Sequence, residues 1–190
     1  MTDSSTANAA GVKRLATGEE LAGMLEKLAQ AVLARHGRCE DLALIGIQRR
    51  GVILAERLKQ SMAASLGHPV LSGSLDITLY RDDWTTKGPK PSTGETRIRF
   101  DVRNKVLLLV DDVLYTGRTI RAALEALTDF GRPRKVELLA LVDRGHRELP
   151  IQPDYAGLTL ATSKDEHVDI FVDEIDGKEG IFLSRARSGQ

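Results

Sequence analysis

The sequence predicts an α/β fold in which a mostly parallel central sheet is flanked by helices, and three patterns lead to that prediction. Apolar runs of strand length alternate with longer segments whose apolar residues recur at helical spacing. Residues 105–110 are apolar from Val106 onward and show no alternation, as expected for a strand that is covered on both faces. The alternation favours a doubly wound core, and short strands and turns over about residues 151–185 favour a small appended region.

The first predicted helix is marked by a capping box. Thr17 has a side chain that can cap a helix, and Glu20 follows it at the spacing of that motif. Leucine and valine then recur at helical spacing, so an amphipathic helix is expected over about residues 18–36. Residues 1–17 are expected to be a disordered lead. They lack the apolar region of a secretory signal, so a cytoplasmic location is expected.

Two strands and one further helix are expected before residue 81. Residues 41–48 are an apolar run of strand length, and Arg49, Arg50 and Gly51 separate this run from the second helix. Residues 70–80 alternate partly and carry several β-forming side chains, so they are predicted to be a strand.

A long polar segment, residues 81–96, interrupts this regular pattern. It contains two prolines, two glycines and four threonines, with almost no apolar side chains. Loops of that length within a compact domain are usually lids, binding loops or disordered segments. A loop is therefore expected over residues 81–96.

The composition indicates one domain, expected over residues 18–185 with a short tail at 186–190. A chain of 190 residues with 42% hydrophobic and 28% charged residues can bury a core of its own. Basic and acidic side chains number 27 each, so no global field attracts nucleic acid or a membrane, although a local patch is compatible with this sum. Cys39 is the only cysteine, which excludes an internal disulfide, and no apolar run is long enough to span a bilayer.

Two adjacent carboxylates follow the apolar run 105–110. Asp111 and Asp112 are placed at the carboxyl end of a predicted buried strand, where open α/β sheets bind their ligands. Carboxylates suit sugar hydroxyls and a hydrated divalent cation such as Mg²⁺, and they do not suit phosphate.

A phosphate-binding loop is predicted directly after the two carboxylates. Backbone N–H groups and the helix dipole make the start of the next helix an anion site, and Gly117 allows the backbone to approach an anion closely. Thr116 and Thr119 add hydroxyl groups and Arg118 adds charge. A phosphate beside a diol describes ribose 5-phosphate.

Each half of this arrangement also has a purely structural interpretation. The two aspartates could be a polar strand end, and the Thr-Gly pair could be an ordinary turn before a helix. Their occurrence together at this spacing favours a binding site. Neither the G-x-x-x-x-G-K-[ST] phosphate loop nor the G-x-G-x-x-G dinucleotide motif is present in the sequence.

The run VLLLVDDVLYTGRT resembles the phosphoribosyl-pyrophosphate signature of type I phosphoribosyltransferases. Together with DITLYRDDW at 76–84 and LVDRGHRELP at 141–150, it is similar to the PyrR proteins, which combine pyrimidine-operon regulation with uracil phosphoribosyltransferase activity. The resemblance extends over about residues 18–183. It implies a type I phosphoribosyltransferase fold, with a mostly parallel central sheet flanked by helices, a small hood and a mobile lid.

The resemblance also implies the ligands and the residues that bind them. The substrates would be phosphoribosyl pyrophosphate and uracil, the product UMP, and the cofactor Mg²⁺, bound at Asp111 and Asp112. Asp112 and, in the lid, Arg81 would be the catalytic residues. The implied substrate-binding residues are Arg49, Arg50 and Gly51 for pyrophosphate, Asp111 and Asp112 for the ribose hydroxyls, the run Val113, Leu114, Tyr115, Thr116, Gly117, Arg118 and Thr119 around the 5-phosphate, and Asp143 and Arg144 near the base.

RNA binding is implied by the same resemblance, with His146 and Arg147 on the RNA-facing surface. The sequence departs from the pattern of RNA-binding members at Glu26 and Gln30, where hydroxyl or basic side chains are expected. An acidic side chain opposes contact with phosphate.

Three functions therefore remain open. The chain is a uracil phosphoribosyltransferase that also regulates pyrimidine genes through an mRNA leader, an RNA-binding attenuator with vestigial transferase activity, or a phosphoribosyltransferase for another base. The resemblance further implies a homodimer or a larger homo-oligomer.

Overall fold

The computed structural model describes residues 12–80 and 94–185. The strands in chain order are β1 (Val12–Thr17), β2 (Leu42–Ile47), β3 (Leu71–Leu75), β4 (Val106–Leu114), β5 (Lys135–Asp143), β6 (Tyr155–Thr159), β7 (Glu166–Phe171) and β8 (Gly180–Arg185). The helices are α1 (Gly18–His36), α2 (Arg50–Leu66), α3 (Arg118–Leu127) and α4 (Asp173–Asp176). Short 3₁₀ turns occupy Thr78–Tyr80 and Thr128–Phe130.

A five-stranded sheet forms the core, and its strands are all parallel in the order β3-β2-β4-β5-β6. The central strand β4 is hydrogen-bonded to β2 on one side and to β5 on the other. Helices α1 and α2 pack on one face of the sheet, and α3 packs on the opposite face. The prediction of an α/β fold with a mostly parallel sheet between helices is confirmed.

The apolar pattern of β4 follows from its central position. Leu108 and Val110 belong to the core beneath α1 and α2, whereas Leu107 and Leu109 belong to the core beneath α3. All four side chains are fully buried. Because burying a leucine side chain stabilises a fold by about 1.5–3 kcal/mol, a strand that buries both faces contributes to two cores at once.

A second, smaller sheet lies outside this core. It is antiparallel, has the order β1-β8-β7, and together with α4 forms what we call the hood. The prediction of a disordered lead through residue 17 is wrong for Val12–Thr17, because this segment forms an antiparallel pair with β8, near the other end of the sequence. Residues 1–11 of that predicted lead and the predicted tail lie outside the described residues.

The predicted strand over residues 70–80 is correct only for its first half. β3 ends at Leu75, and the chain then turns because Asp76 caps the 3₁₀ turn, its carboxylate accepting the Thr78 backbone N–H at 2.8 Å and the Thr78 hydroxyl at 2.6 Å. Most of the predicted loop, residues 81–93, lies outside the described residues. Arg97, beyond it, makes a single antiparallel bridge with Ser74.

Two helix starts confirm local predictions. The Thr17 hydroxyl accepts the Glu20 N–H, and the Glu20 carboxylate accepts the Thr17 N–H, so α1 begins with the predicted capping box. α3 begins at Arg118, directly after Gly117. Within residues 12–80 and 94–185, no helix has the length and apolar character needed to cross a membrane.

Candidate active site

The predicted carboxylates lie at the carboxyl end of the central strand. Asp111 and Asp112 belong to β4 itself, which continues to Leu114, four residues beyond the predicted apolar run. Asp111 is buried and Asp112 is half-buried. Because successive side chains of a strand project to opposite faces, the two carboxylates do not act as one flat pair. The two carboxylates therefore face different sides of the strand end.

Asp112 lies in a constrained electrostatic environment. Its Oδ1 accepts the Val113 backbone N–H at 2.8 Å. Burial raises the pKa of the Asp112 carboxyl, while this hydrogen bond and the positive charge of Arg50 act in the opposite direction and Asp169 of the hood adds to the rise. A cation or a hydroxyl donor supplied by a ligand would stabilise the charged form of this carboxylate.

The predicted phosphate loop, residues 115–119, comprises the turn from β4 to α3 and the first two residues of α3. Gly117 is the N-cap residue of α3 and has a φ of 92°, a left-handed conformation that a side chain would strain. Glycine has no side chain to cap the helix, and the first N–H groups of a helix have no partner within it. The structure therefore brings together a glycine turn, a helix N-terminus and the two aspartates, as the sequence predicts.

The side chains of the loop are arranged around that turn. Thr116 Oγ1 accepts the Arg118 N–H at 3.4 Å, and Thr119 lies half-buried in the first turn of α3. The Arg118 guanidinium is exposed and contacts the Glu148 carboxylate at 2.7 Å. Val113 and Leu114 complete β4 before the loop.

The second predicted turn, Arg49 to Gly51, joins β2 to α2 beside the same sheet edge. Arg49 is exposed, and the peptide bond between Gln48 and Arg49 is cis. Gly51 is buried in the first turn of α2, where a Cβ atom would collide with the Val110 carbonyl oxygen. Only glycine lets the start of α2 approach the end of β4 this closely.

Arg50 has a partner that the sequence did not suggest. Its guanidinium binds Asp176 of the hood in a fork, with Nη2 at 2.7 Å from Oδ1 and Nε at 3.1 Å from Oδ2. It also lies over the Phe171 ring, 5.8 Å from the ring centroid. The Arg50 guanidinium holds the pKa of the Asp176 carboxyl below its usual value. Asp176 was missed because it is 126 residues away in the chain and belongs to no motif.

The segment after β5 lies against the phosphate loop. Asp143 accepts the Gly145 N–H at 2.9 Å and forms an ion pair with Arg147 at 2.7 Å. Arg144 is buried, and its guanidinium lies 4.1 Å from the Tyr115 ring centroid. His146 is half-buried, and its Nε2 lies 2.6 Å from the Thr162 carbonyl oxygen.

Arg147 is largely enclosed, with 13% of its side chain exposed. The predicted catalytic Arg81 lies outside the described residues.

The donor set fits Mg²⁺ bound jointly with a substrate. Within the described residues, no group of three or more His, Cys, Asp or Glu side chains is arranged to hold a metal ion. Mg²⁺ usually takes one or two protein carboxylates and completes its shell with water and substrate phosphates. Asp111 and Asp112 would supply these two carboxylates.

Comparisons with known proteins identify the family of this chain. Residues 11–175 match the family described as the phosphoribosyl transferase domain. A protein of Elusimicrobium minutum named "Bifunctional protein PyrR" is 50% identical over 171 residues, which cover 90% of this chain and 96% of the relative. A protein of the same name from Thermus aquaticus is 49% identical over 169 residues, covering 89% and 93%.

Solved structures show the same architecture. The hypoxanthine phosphoribosyltransferase of Trypanosoma cruzi has a TM-score of 0.69 at 17% identity, covering 92% of this chain and 97% of the other. The Staphylococcus aureus hypoxanthine phosphoribosyltransferase has a TM-score of 0.64 at 18% identity, covering 92% and 93%. At such identities the likeness concerns the fold, and it confirms the predicted type I phosphoribosyltransferase fold.

Proposed function

Because this chain belongs to the phosphoribosyl transferase domain family and, within it, to the PyrR proteins, we propose that it transfers a phosphoribosyl group from phosphoribosyl pyrophosphate to uracil. The products would be UMP and pyrophosphate. The observation that carries this proposal is the end of β4, where Asp111 and Asp112 directly precede a glycine turn and a helix N-terminus. Such a site suits a sugar diol and a phosphate held side by side.

The reaction forms a bond between uracil N1 and the anomeric carbon, breaks the bond from that carbon to pyrophosphate, and releases the N1 proton. No covalent nucleophile is needed, because the anomeric carbon carries oxocarbenium-like positive charge as the leaving group departs. Residues 115–119 hold the 5-phosphate, and Asp111 and Asp112 fix the ribose hydroxyls. Orientation by these two groups lowers the barrier by holding the sugar in line with the base.

The leaving group is assigned to the second turn. Arg49, Arg50 and Gly51 lie beside the same strand end, and arginine is suited to bidentate contact with phosphate. Arg81 of the predicted lid is proposed to complete this contact. Mg²⁺, when bound with the substrate, neutralises charge on the pyrophosphate.

The base would lie beside Asp143 and Arg144, at the end of β5. Parallel strands β4 and β5 end at the same edge of the sheet, and Leu114 is the register partner of Asp143. Asp143 would therefore lie next to the proposed ribose site. Arg144 is buried, and its guanidinium is held by the Thr162 hydroxyl at 3.3 Å and the Ser163 carbonyl at 3.1 Å. A fixed guanidinium of this kind supports a base pocket of defined shape.

A panel of bases tests this proposal. The purified chain is assayed with phosphoribosyl pyrophosphate, Mg²⁺ and either uracil, hypoxanthine, guanine or orotate, and nucleotide formation is measured for each. We expect uracil to give the highest kcat/KM. A preference for either purine, or for orotate, would contradict the assignment of the base while leaving the phosphoribosyl site in place.

Regulation of pyrimidine genes by RNA binding is the second proposed function, favoured by the shared name of the relatives, "Bifunctional protein PyrR". His146 and Arg147 are the proposed RNA contacts. A gel-shift with the chain's own pyrimidine-gene leader RNA, with and without UMP, tests this function. Absence of a shift at micromolar protein would contradict it.

We also propose that the protein is a homodimer or a larger homo-oligomer. Light scattering at assay concentrations measures this directly, and a monomer mass would contradict it.

A further inference from the structure

We infer that residues 144–149, here called the strap, shape the loop that receives the 5-phosphate, and that Arg147 is the positioning residue of this strap. The inference rests on the proposed function for the identity of the phosphate. It also gives Arg147 a role inside the enzyme, in addition to the surface role that the sequence predicts for it.

The Arg147 guanidinium is surrounded by acceptors from three parts of the chain. Its Nη1 donates to the carbonyl oxygens of Tyr115 at 2.8 Å, Gly145 at 3.2 Å and Leu114 at 3.4 Å. Its Nε donates to the Ile151 carbonyl at 2.8 Å, and its Nη2 lies 2.7 Å from the Asp143 carboxylate. The guanidinium thereby ties the end of β4 to the segment that follows β5.

Backbone hydrogen bonds continue the same attachment. The N–H groups of Glu148 and Leu149 both donate to the Thr116 carbonyl, at 3.0 and 3.2 Å, and the Arg144 N–H donates to the Leu114 carbonyl at 3.1 Å. The carbonyl oxygens of three consecutive residues, Leu114 to Thr116, therefore all face the strap.

This arrangement determines where the N–H groups of the loop point. In a trans peptide the C=O and N–H bonds point in opposite directions. The carbonyls of Leu114, Tyr115 and Thr116 share their peptide units with the N–H groups of Tyr115, Thr116 and Gly117. Since the strap holds these carbonyls on one side, the three N–H groups face the other side, where they form a concave anion site at the start of α3.

Side-chain packing fixes the loop laterally. The Tyr115 ring lies between Arg144, whose guanidinium is 4.1 Å from the ring centroid, and His146, whose ring is edge-on at 5.8 Å. A Cβ atom on Gly117 would lie 3.4 Å from Leu149 and from Ile151, which places the glycine turn against the last residue of the strap and a residue just beyond it.

Arginine is required at position 147 for a geometric reason. A planar guanidinium carries five N–H donors in a rigid fork, so a single side chain reaches several carbonyls and one carboxylate. Lysine provides the same charge as a compact ammonium, which can keep the contact with Asp143 but not the whole set of carbonyl contacts.

The test compares Arg147→Met with Arg147→Lys in the full chain, using ribose 5-phosphate and inorganic pyrophosphate as probes in calorimetric titrations with Mg²⁺. We expect Arg147→Met to weaken the affinity for ribose 5-phosphate about tenfold to a hundredfold. The reason is that a loop displaced by about 1 Å no longer holds its N–H groups in the geometry that binds the phosphate. Pyrophosphate, which binds the other turn, should change less than about twofold, and Arg147→Lys should fall between the wild type and Arg147→Met. In turnover, KM for phosphoribosyl pyrophosphate should rise while KM for the base stays near that of the wild type.

Arg134→Met is the matched control, because Arg134 forms an exposed ion pair with Asp41, before the opposite, amino-terminal end of the sheet. It should leave both affinities unchanged. A folded Arg147→Met variant with wild-type affinity for ribose 5-phosphate would overturn the inference, as would equal weakening of both probes.

If Arg147→Met does not fold, Arg147→Lys decides the same comparison. Wild-type protein that binds neither probe would overturn the proposed function together with the strap, whereas normal wild-type binding with unaffected variants would overturn the strap alone.

Discussion

The two strand-to-helix turns at the candidate site have the same architecture and are held in different ways. The turn from β4 to α3 is attached to the strap, which continues directly from the neighbouring strand β5. The turn from β2 to α2 is attached through Arg50 to Asp176 of the hood. One turn is therefore attached to the strap beside it, and the helix that follows the other turn is attached to α4 of the hood.

This difference suggests a division of labour between the turns. The carbonyls of the predicted phosphate loop accept hydrogen bonds from several donors, among them the Arg147 guanidinium, whose side chain is 13% exposed. The turn from β2 to α2, which is proposed to bind pyrophosphate, is followed by the ion pair of Arg50 with Asp176. In this pair the Arg50 side chain is 33% exposed and that of Asp176 is 12% exposed. We therefore expect the position of Arg50 to respond to the hood, to pH and to salt more than the phosphate loop does.

The largest expected effect comes from the strand end that both turns share. Asp112→Asn should lower kcat/KM about 100-fold or more, the size expected when a charged contact to the reacting sugar is lost. Stability should not fall, because burial raises the pKa of the Asp112 carboxyl and an amide avoids the cost of a buried charge. Steady-state kinetics and urea unfolding measure the two quantities.

Asp101→Asn is the control for that variant, because the Asp101 carboxylate is exposed in the loop before β4 and pairs with Arg103. Its turnover should stay near the wild-type value. Near-wild-type turnover of Asp112→Asn would remove Asp112 from the reaction.

The glycines of the two turns should respond differently to alanine. At Gly51 a Cβ atom would collide with the Val110 backbone, so Gly51→Ala must move α2 away from β4, at a cost of about 1–3 kcal/mol. At Gly117 a Cβ atom would lie 3.4 Å from its nearest neighbours, which is an ordinary contact distance. The loss of stability then comes from the left-handed backbone alone and is about 1–2 kcal/mol. Urea unfolding of both variants measures the difference, and a smaller loss at Gly51 than at Gly117 would contradict this account.

The smallest effect is expected at the hood. Asp176→Asn removes one charge of the pair with Arg50 and should lower the free energy of unfolding by about 1 kcal/mol, allowing for solvent screening. The pKa of the Asp176 carboxyl is lowered by its hydrogen bonds with Arg50, so its contribution is complete above the unfolded value of 3.8 and is lost as pH falls below it. The stability difference between wild type and variant should therefore be constant from neutral pH to about pH 4 and shrink below that.

Asp41→Asn provides the comparison for that measurement, because Asp41 pairs with Arg134 while both side chains are exposed. An exposed pair contributes little, so its unfolding curve should lie close to that of the wild type. A difference between wild type and Asp176→Asn that grows as pH falls would contradict the sign of the predicted effect.

Contacts between near neighbours in the chain were predictable from the sequence alone. The capping box of α1, the apolar strand that leads to Asp111 and Asp112, and the glycine before α3 all depend on residues a few positions apart, and the structure has each of them. The fold class followed from the same local periodicities, because strand and helix patterns in alternation leave few ways to bury their apolar faces.

The tertiary structure alone decided which distant residues support the site. Val12–Thr17 forms a strand only because β8 lies beside it, and Arg50 is held by Asp176 only because the hood brings α4 to α2. Arg147 appears in the sequence as a charge within a polar turn, yet its guanidinium is enclosed by carbonyls of the phosphate loop. Such pairings join residues that no local period connects. The sequence by itself therefore determined the candidate ligand-binding motif, and folding determined which distant residues support it.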